Sequence, residues 1–139
     1  MAREIKFRGR IRQGKWIVGE IISLNNHKYI APEDGDWFDF IPWVPNNVFH
    51  APDSDEYEVD KETIGQFTGL RDKNGKEIYE GDIFHLGSKS ILYQVVWHDT
   101  GLIGKQIHAS CYAGLEHWKE KILVIGNIHD NPELLNVEK

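Results

Sequence analysis

Seven histidines, at positions 27, 50, 85, 98, 108, 117 and 129, are the residues best suited by type to acid–base or metal chemistry in this 139-residue chain. Their spacing does not support either. No HxH, HxxxH or HExxH pattern occurs, so no helix or strand presents two ring nitrogens to one ion. A zinc or general-base site would need histidines from separate strands to meet in a cleft. His98-Asp99 and His129-Asp130 are adjacent pairs, and strand geometry sends adjacent side chains to opposite faces. Ser110 lacks a GxSxG elbow, and nothing ties Cys111 to a base. As a lone cysteine, Cys111 reads as a small buried residue. Asp72, Asn74 and Glu80 resemble part of a calcium loop, but Lys76 stands where the next oxygen ligand is required and the glycine falls at 75. No glycine-rich phosphate loop is present. The expectation is a non-catalytic protein with no metal and no cofactor.

The elements that would position any site are mostly strands. Residues 5–8 alternate Ile5 and Phe7 with Lys6 and Arg8, predicting a half-buried strand with the apolar pair facing inward. Gln13-Gly14 marks a turn, and 15–24 reads as a strand interrupted at Gly19. Asn25-Asn26 makes a second turn before a strand in HKYIAP. Residues 33–60 are rich in proline, acids and aromatics and read as a structured loop. Strands then follow at about 62–70, 76–79, 82–86, 91–98, 103–110 and 122–129. Asn74-Gly75 supplies the hairpin turn between the first two of these. Gly81-Asp82 supplies the turn into the third, with Asp82 bonding neighbouring amides. GLEHWKEK, at 114–121, has room for one helical turn. Pro132, after Asp130 or Asn131 as cap, opens a short C-terminal helix.

Together these segments predict a mainly β protein: a single domain of two lobes, about 1–61 and about 62–139, packed together because each alone would be marginal. Many short antiparallel strands in the second half suit an SH3-like, half-open barrel. No run approaches the length of a membrane span, and the start lacks a signal-peptide core. One cysteine excludes an internal disulfide framework and suits the reducing cytoplasm. A net charge of −6 disfavours broad phosphate binding.

Three segments carry a resemblance. QFTGLRDKNGKEIYEGDI at 66–83, VIGNIHDNPELL at 124–135 and REIKFRGR at 3–10 resemble the YopX family of phage- and prophage-encoded proteins. The last departs from many members in lacking an aromatic after Phe7-Arg8. The resemblance implies a compact fold and a phage or prophage gene. It transfers no catalytic or ligand-binding residue, because Thr68, Gly69, Asp72, Asn74, Gly75, Gly81, Asp82, Gly126, Asn127 and Pro132 read as hairpin, turn and cap positions.

Two binding readings remain. Trp37, Phe38, Phe40, Trp43 and Phe49 crowd a segment rich in proline and aspartate. Strand alternation would place aromatics on both faces, one in the core and one covered by a partner protein or a second copy of the chain. The alternative reading makes these rings intramolecular core. The second places Lys6, Arg8 and Arg10 on one strand face as a nucleic-acid contact. Glu4, Glu20 and the acidic middle segment dilute that field. The expected function is a non-catalytic interaction module binding a host or phage protein in the host cytoplasm, or alternatively a nucleic-acid-associated accessory protein.

Overall fold

The computed structural model describes residues 5–24, 26–32 and 57–136. Trp37, Phe38, Phe40, Trp43 and Phe49 lie outside the described residues. The chain divides into two compact units, one of Ile5–Gln66 and one chiefly of Phe67–Lys139. The boundary falls within a strand, because the first residues of that strand pair with the N-terminal unit.

In the N-terminal unit, β1 (Phe7–Arg10), β2 (Trp16–Leu24) and β3 (His27–Pro32) form an antiparallel meander. The β1–β2 turn closes through Gly14, whose φ of 88° suits glycine, and its N–H donates to the Ile11 carbonyl at 2.8 Å. Asn26, with φ of 68°, turns β2 into β3. Gly19 does not interrupt β2: it sits in register with Phe7 on one side and Pro32 on the other. The first residues of β4 (Gly65–Arg71) pair with β1 through Gly65 and Gln66. Residues 58 and 59 bridge to Tyr29 and Ile11, and the Val59 N–H donates to the Lys28 carbonyl at 2.9 Å. Ile11, Ile30 and Val59 form the buried centre, with Ile17, Ile21 and Ile64 against it. Gly9 fits because a Cβ there would lie 2.8 Å from the Val59 Cβ.

In the C-terminal unit the remainder of β4 pairs with β5 (Glu77–Tyr79). A five-stranded antiparallel sheet follows in the order β10-β6-β7-β8-β9. Its members are β6 (Asp82–His85), β7 (Tyr93–His98), β8 (Gly101–Gln106), β9 (Tyr112–Ala113) and β10 (Leu123–Asn127). Ile78, Phe84, Val95, Leu115, Ile122 and Val124 make its core. Gly104 faces that core, and a Cβ there would meet Phe84 Cζ at 2.6 Å.

The protein is mainly β as expected; among the described residues no sheet closes, and the SH3-like, half-open barrel is not shown. The two edge strands, β9 and β10, do not pair with each other. β9 is two residues long, after which the chain turns at Gly114 into α1 (Leu115–Trp118), with Leu115 entering the core. The edge of β10 is already occupied. The Lys73 N–H donates to the Ile122 carbonyl at 2.9 Å, and the Val124 N–H donates to Asp72 Oδ2 at 3.1 Å. A turn thus supplies the partners that another strand would have supplied, and the edge is blunted.

Other boundaries shift for local reasons. The strand expected at 103–110 stops at Gln106, where the chain turns and His108 adopts a φ of 69°. Ile125 adds one residue to β10, a bulge between the Val124–Phe84 and Gly126–Ile83 pairs. The C-terminal helix is a 3-10 turn, Pro132–Asn136. Asn131 directs its Oδ1 back to the Asn127 N–H at 3.2 Å.

Candidate functional site

The basic strand is the first candidate, and its side chains do not lie as alternation alone predicts. Ile5, expected to face inward, is 68% exposed because it precedes the paired part of β1. Lys6 and Arg8, expected on a solvated face, are 7% and 8% exposed. Phe7, Gly9 and Ile11 share the opposite face, which is the face that meets Val59 and Ile30. Arg8 places its guanidinium carbon 4.8 Å from the centroid of the Trp16 ring, and Arg10 places its own at 5.9 Å. Both distances fall within cation–π range. Arg10 also joins the backbone scaffold: its N–H donates to Thr63 Oγ1 at 2.9 Å. Of the three proposed phosphate contacts, two are therefore buried and the third is half-buried. Arg12 and Lys15, in the following turn, are exposed.

The described histidines form no metal centre, and His50 lies outside the described residues. Among the described residues no cluster of three or more His, Cys, Asp or Glu side chains is placed to hold an ion. His98 and Asp99 do meet, contrary to the strand expectation, with Nε2 and Oδ2 3.6 Å apart. Asp99 lies in the turn after β7 with φ of 56°, so alternation no longer separates the two side chains. Both are well exposed, and an exposed pair of this kind contributes little. His27 Nδ1 bonds Glu58 Oε2. Burial, with the Glu58 carboxylate adding to it, raises the pKa of the neighbouring Tyr29 phenol. A recess of about 250 Å³ in the N-terminal unit is lined by Arg12, Glu58, Val59 and Asp60. Among those described lining residues there is no nucleophile and no general-base histidine. Cys111 is exposed rather than buried, since it follows β8 in the connection to β9.

The buried polar residues of the C-terminal unit are bound into its backbone. Asp72 Oδ1 accepts the N–H groups of Asn74 and Lys76, each at 2.9 Å, and its Oδ2 accepts that of Val124. Both carboxylate oxygens are thus committed to shaping the turn and docking it on β10. Gly75 carries the positive φ of that turn, 86°. Asp82 Oδ2 accepts the Tyr79 N–H at 2.7 Å. Thr68 Oγ1 donates to the Ile78 carbonyl at 2.8 Å and accepts the Leu70 N–H. Asn127 Oδ1 accepts the N–H groups of His129 and Asp130, each at 2.9 Å. These are the structural roles expected for the turn and cap residues.

Two half-exposed rings in the C-terminal sheet, on opposite faces by register, carry no periodic mark in the sequence. Trp97, near the end of β7, is 48% exposed, and Tyr112 in β9 is 46% exposed. Trp97 follows Val95 by two residues and so shares its core-facing side of the sheet, yet it projects past the core. Its Nε1 donates to Glu80 Oε1 at 3.2 Å, which restrains the ring without burying it. Tyr112 packs against His98, with ring centroids 4.6 Å apart. The available signal was position: each aromatic abuts a turn or loop, where a strand outruns the residues that could cover it.

Comparison with known proteins supports the fold but adds no chemistry. The structure is similar to that titled "Crystal structure of protein EF1440 from Enterococcus faecalis", with 23% identity over 96% of this chain and 99% of that one. The TM-score is 0.52, a likeness of fold alone. No curated protein matches the chain. Among family models, the one described as YopX protein matches residues 6–136, nearly the whole length, and includes all three segments of the resemblance from Lys6 onward. The chain belongs to the YopX family.

Proposed function

We propose that this protein is a non-catalytic protein-interaction module encoded by a phage or prophage and acting in the host cytoplasm. The observation that carries the reading is the half-exposure of two large rings, Trp97 on one face and Tyr112 on the other, in a sheet whose buried polar side chains bond its own backbone. Large rings left half in solvent cost hydrophobic free energy unless a partner covers them, and aromatic residues are the usual anchors of protein interfaces. Trp37, Phe38, Phe40, Trp43 and Phe49 extend the same reading in the N-terminal half. A host or phage protein, or a second copy of the chain, is the proposed occupant. The burial of Lys6 and Arg8 argues against the nucleic-acid alternative, because buried cations cannot reach phosphates.

The test is affinity capture of the tagged full chain from host cells, followed by nuclease treatment and a salt titration. A partner protein that survives nuclease and moderate salt supports the module. Recovery of nucleic acid, or loss of every partner on nuclease treatment with a steep salt dependence, would establish the accessory nucleic-acid role instead.

A further inference from the structure

We propose that His85 is an acid-released latch on the connection between β6 and β7. The ring ends β6 opposite Leu123 of β10 and is 5% exposed. Its Nδ1 accepts the Gly87 N–H at 3.1 Å. Nδ1 therefore carries no proton in the closed arrangement, and the neutral ring keeps its hydrogen on Nε2. Gly87 has a φ of 122°, a backbone conformation that side-chain-bearing residues rarely adopt, and this bend returns its amide to the ring.

The groups facing His85 favour the neutral form. From the β4–β5 turn comes Lys73, whose N–H is bonded to the Ile122 carbonyl beside Leu123. From the connection itself comes Lys89, and from β10 the apolar Leu123. Asp72, next to Lys73, has both oxygens committed to backbone amides. Among the described residues no carboxylate is ion-paired with the ring. Burial chiefly, then Lys73 and Lys89, hold the His85 pKa below its ordinary value. Protonating Nδ1 would turn the acceptor into a donor pointed at another donor and would add a cation to surroundings that Lys73 and Lys89 already make positive. The ring must then leave, and the connection opens with it. Leu86, in that connection, packs on the Phe84 core, so opening uncovers one end of the core. The folded-state pKa is depressed, so the closed state is fully favoured above the unfolded value of about 6.5. It loses stability as pH falls from there toward the lower folded value.

The test is amide hydrogen exchange on the isotopically labelled full chain between about pH 8 and pH 5, corrected for intrinsic rates. The Gly81 N–H, bonded to the Val95 carbonyl at 2.9 Å, serves as the control. The latch predicts that Gly87 protection falls by about tenfold per pH unit once His85 begins to protonate on opening, while Gly81 protection holds. It also predicts an imidazole midpoint below about 6.5 by NMR. The His85→Gln variant should show a pH-independent Gly87. If that variant does not fold, the wild-type titration decides alone. Gly87 protection that stays constant, or that falls in step with Gly81, overturns the latch, as does a ring that titrates at or above the ordinary value.

Discussion

The two units bury polar side chains in different ways. In the C-terminal unit Thr68, Asp72, Asp82 and Asn127 each bond backbone groups, and each such bond fixes a turn or a strand end. In the N-terminal unit the buried polar residues include two long cations, Lys6 and Arg8, the second lying over the face of Trp16. Short acceptors bonded to backbone amides specify geometry; a cation on a ring fills space and tolerates variation. The lesson is that buried polar groups other than His85 report on folding, whereas the half-exposed rings Trp97 and Tyr112 are left over from it.

That comparison can be broken by substitution. Phe84 lies fully buried at the centre of the C-terminal core. Phe84→Ala should lower the unfolding free energy by about 3–5 kcal/mol, measured by urea denaturation. Asp72→Asn comes next. The amide keeps one acceptor oxygen but sets a donor against one of the amides that the carboxylate served, Val124 or the turn, so a loss of about 1–3 kcal/mol is expected. A near-neutral result would mean that the turn does not hold the β10 edge. Trp16→Leu keeps an apolar side chain but removes the ring under Arg8 and Arg10, and should cost about 0.5–2 kcal/mol. A cost above that of Asp72→Asn would reverse the contrast between the units. Trp97→Ala should be the mildest, within about 0.5 kcal/mol, since the ring is half in solvent.

Much of the strand pattern was legible because turns announce themselves. Gln13-Gly14, Asn74-Gly75 and Gly81-Asp82 each mark a reversal, and the structure turns at each. The docking of the Asp72 turn on the sheet edge was not legible. Barrel closure depends on whether distant edges pair, and here the Asp72 turn docks on β10, a contact between residues 52 positions apart. Nor was the burial of Lys6 and Arg8 visible. Alternation assigns faces but cannot say whether a polar face is covered, and the Trp16 ring that lies under Arg8 comes from the next strand. His98 and Asp99 met for a related reason: one residue beyond the strand end, the period of two no longer applies. Trp97 and Tyr112 went unmarked because a single exposed aromatic per strand has no periodic signature.

On the proposed function, Trp97 and Tyr112 add little to the fold and meet a partner. The direct measurement pairs urea unfolding with affinity capture for Trp97→Ala and Tyr112→Ala, singly and together. Unfolding free energies should stay within about 0.5 kcal/mol of wild type for each single change, together with loss of the captured partner protein. A partner retained by the double variant, or an unfolding loss of the size expected for Phe84→Ala, would contradict it.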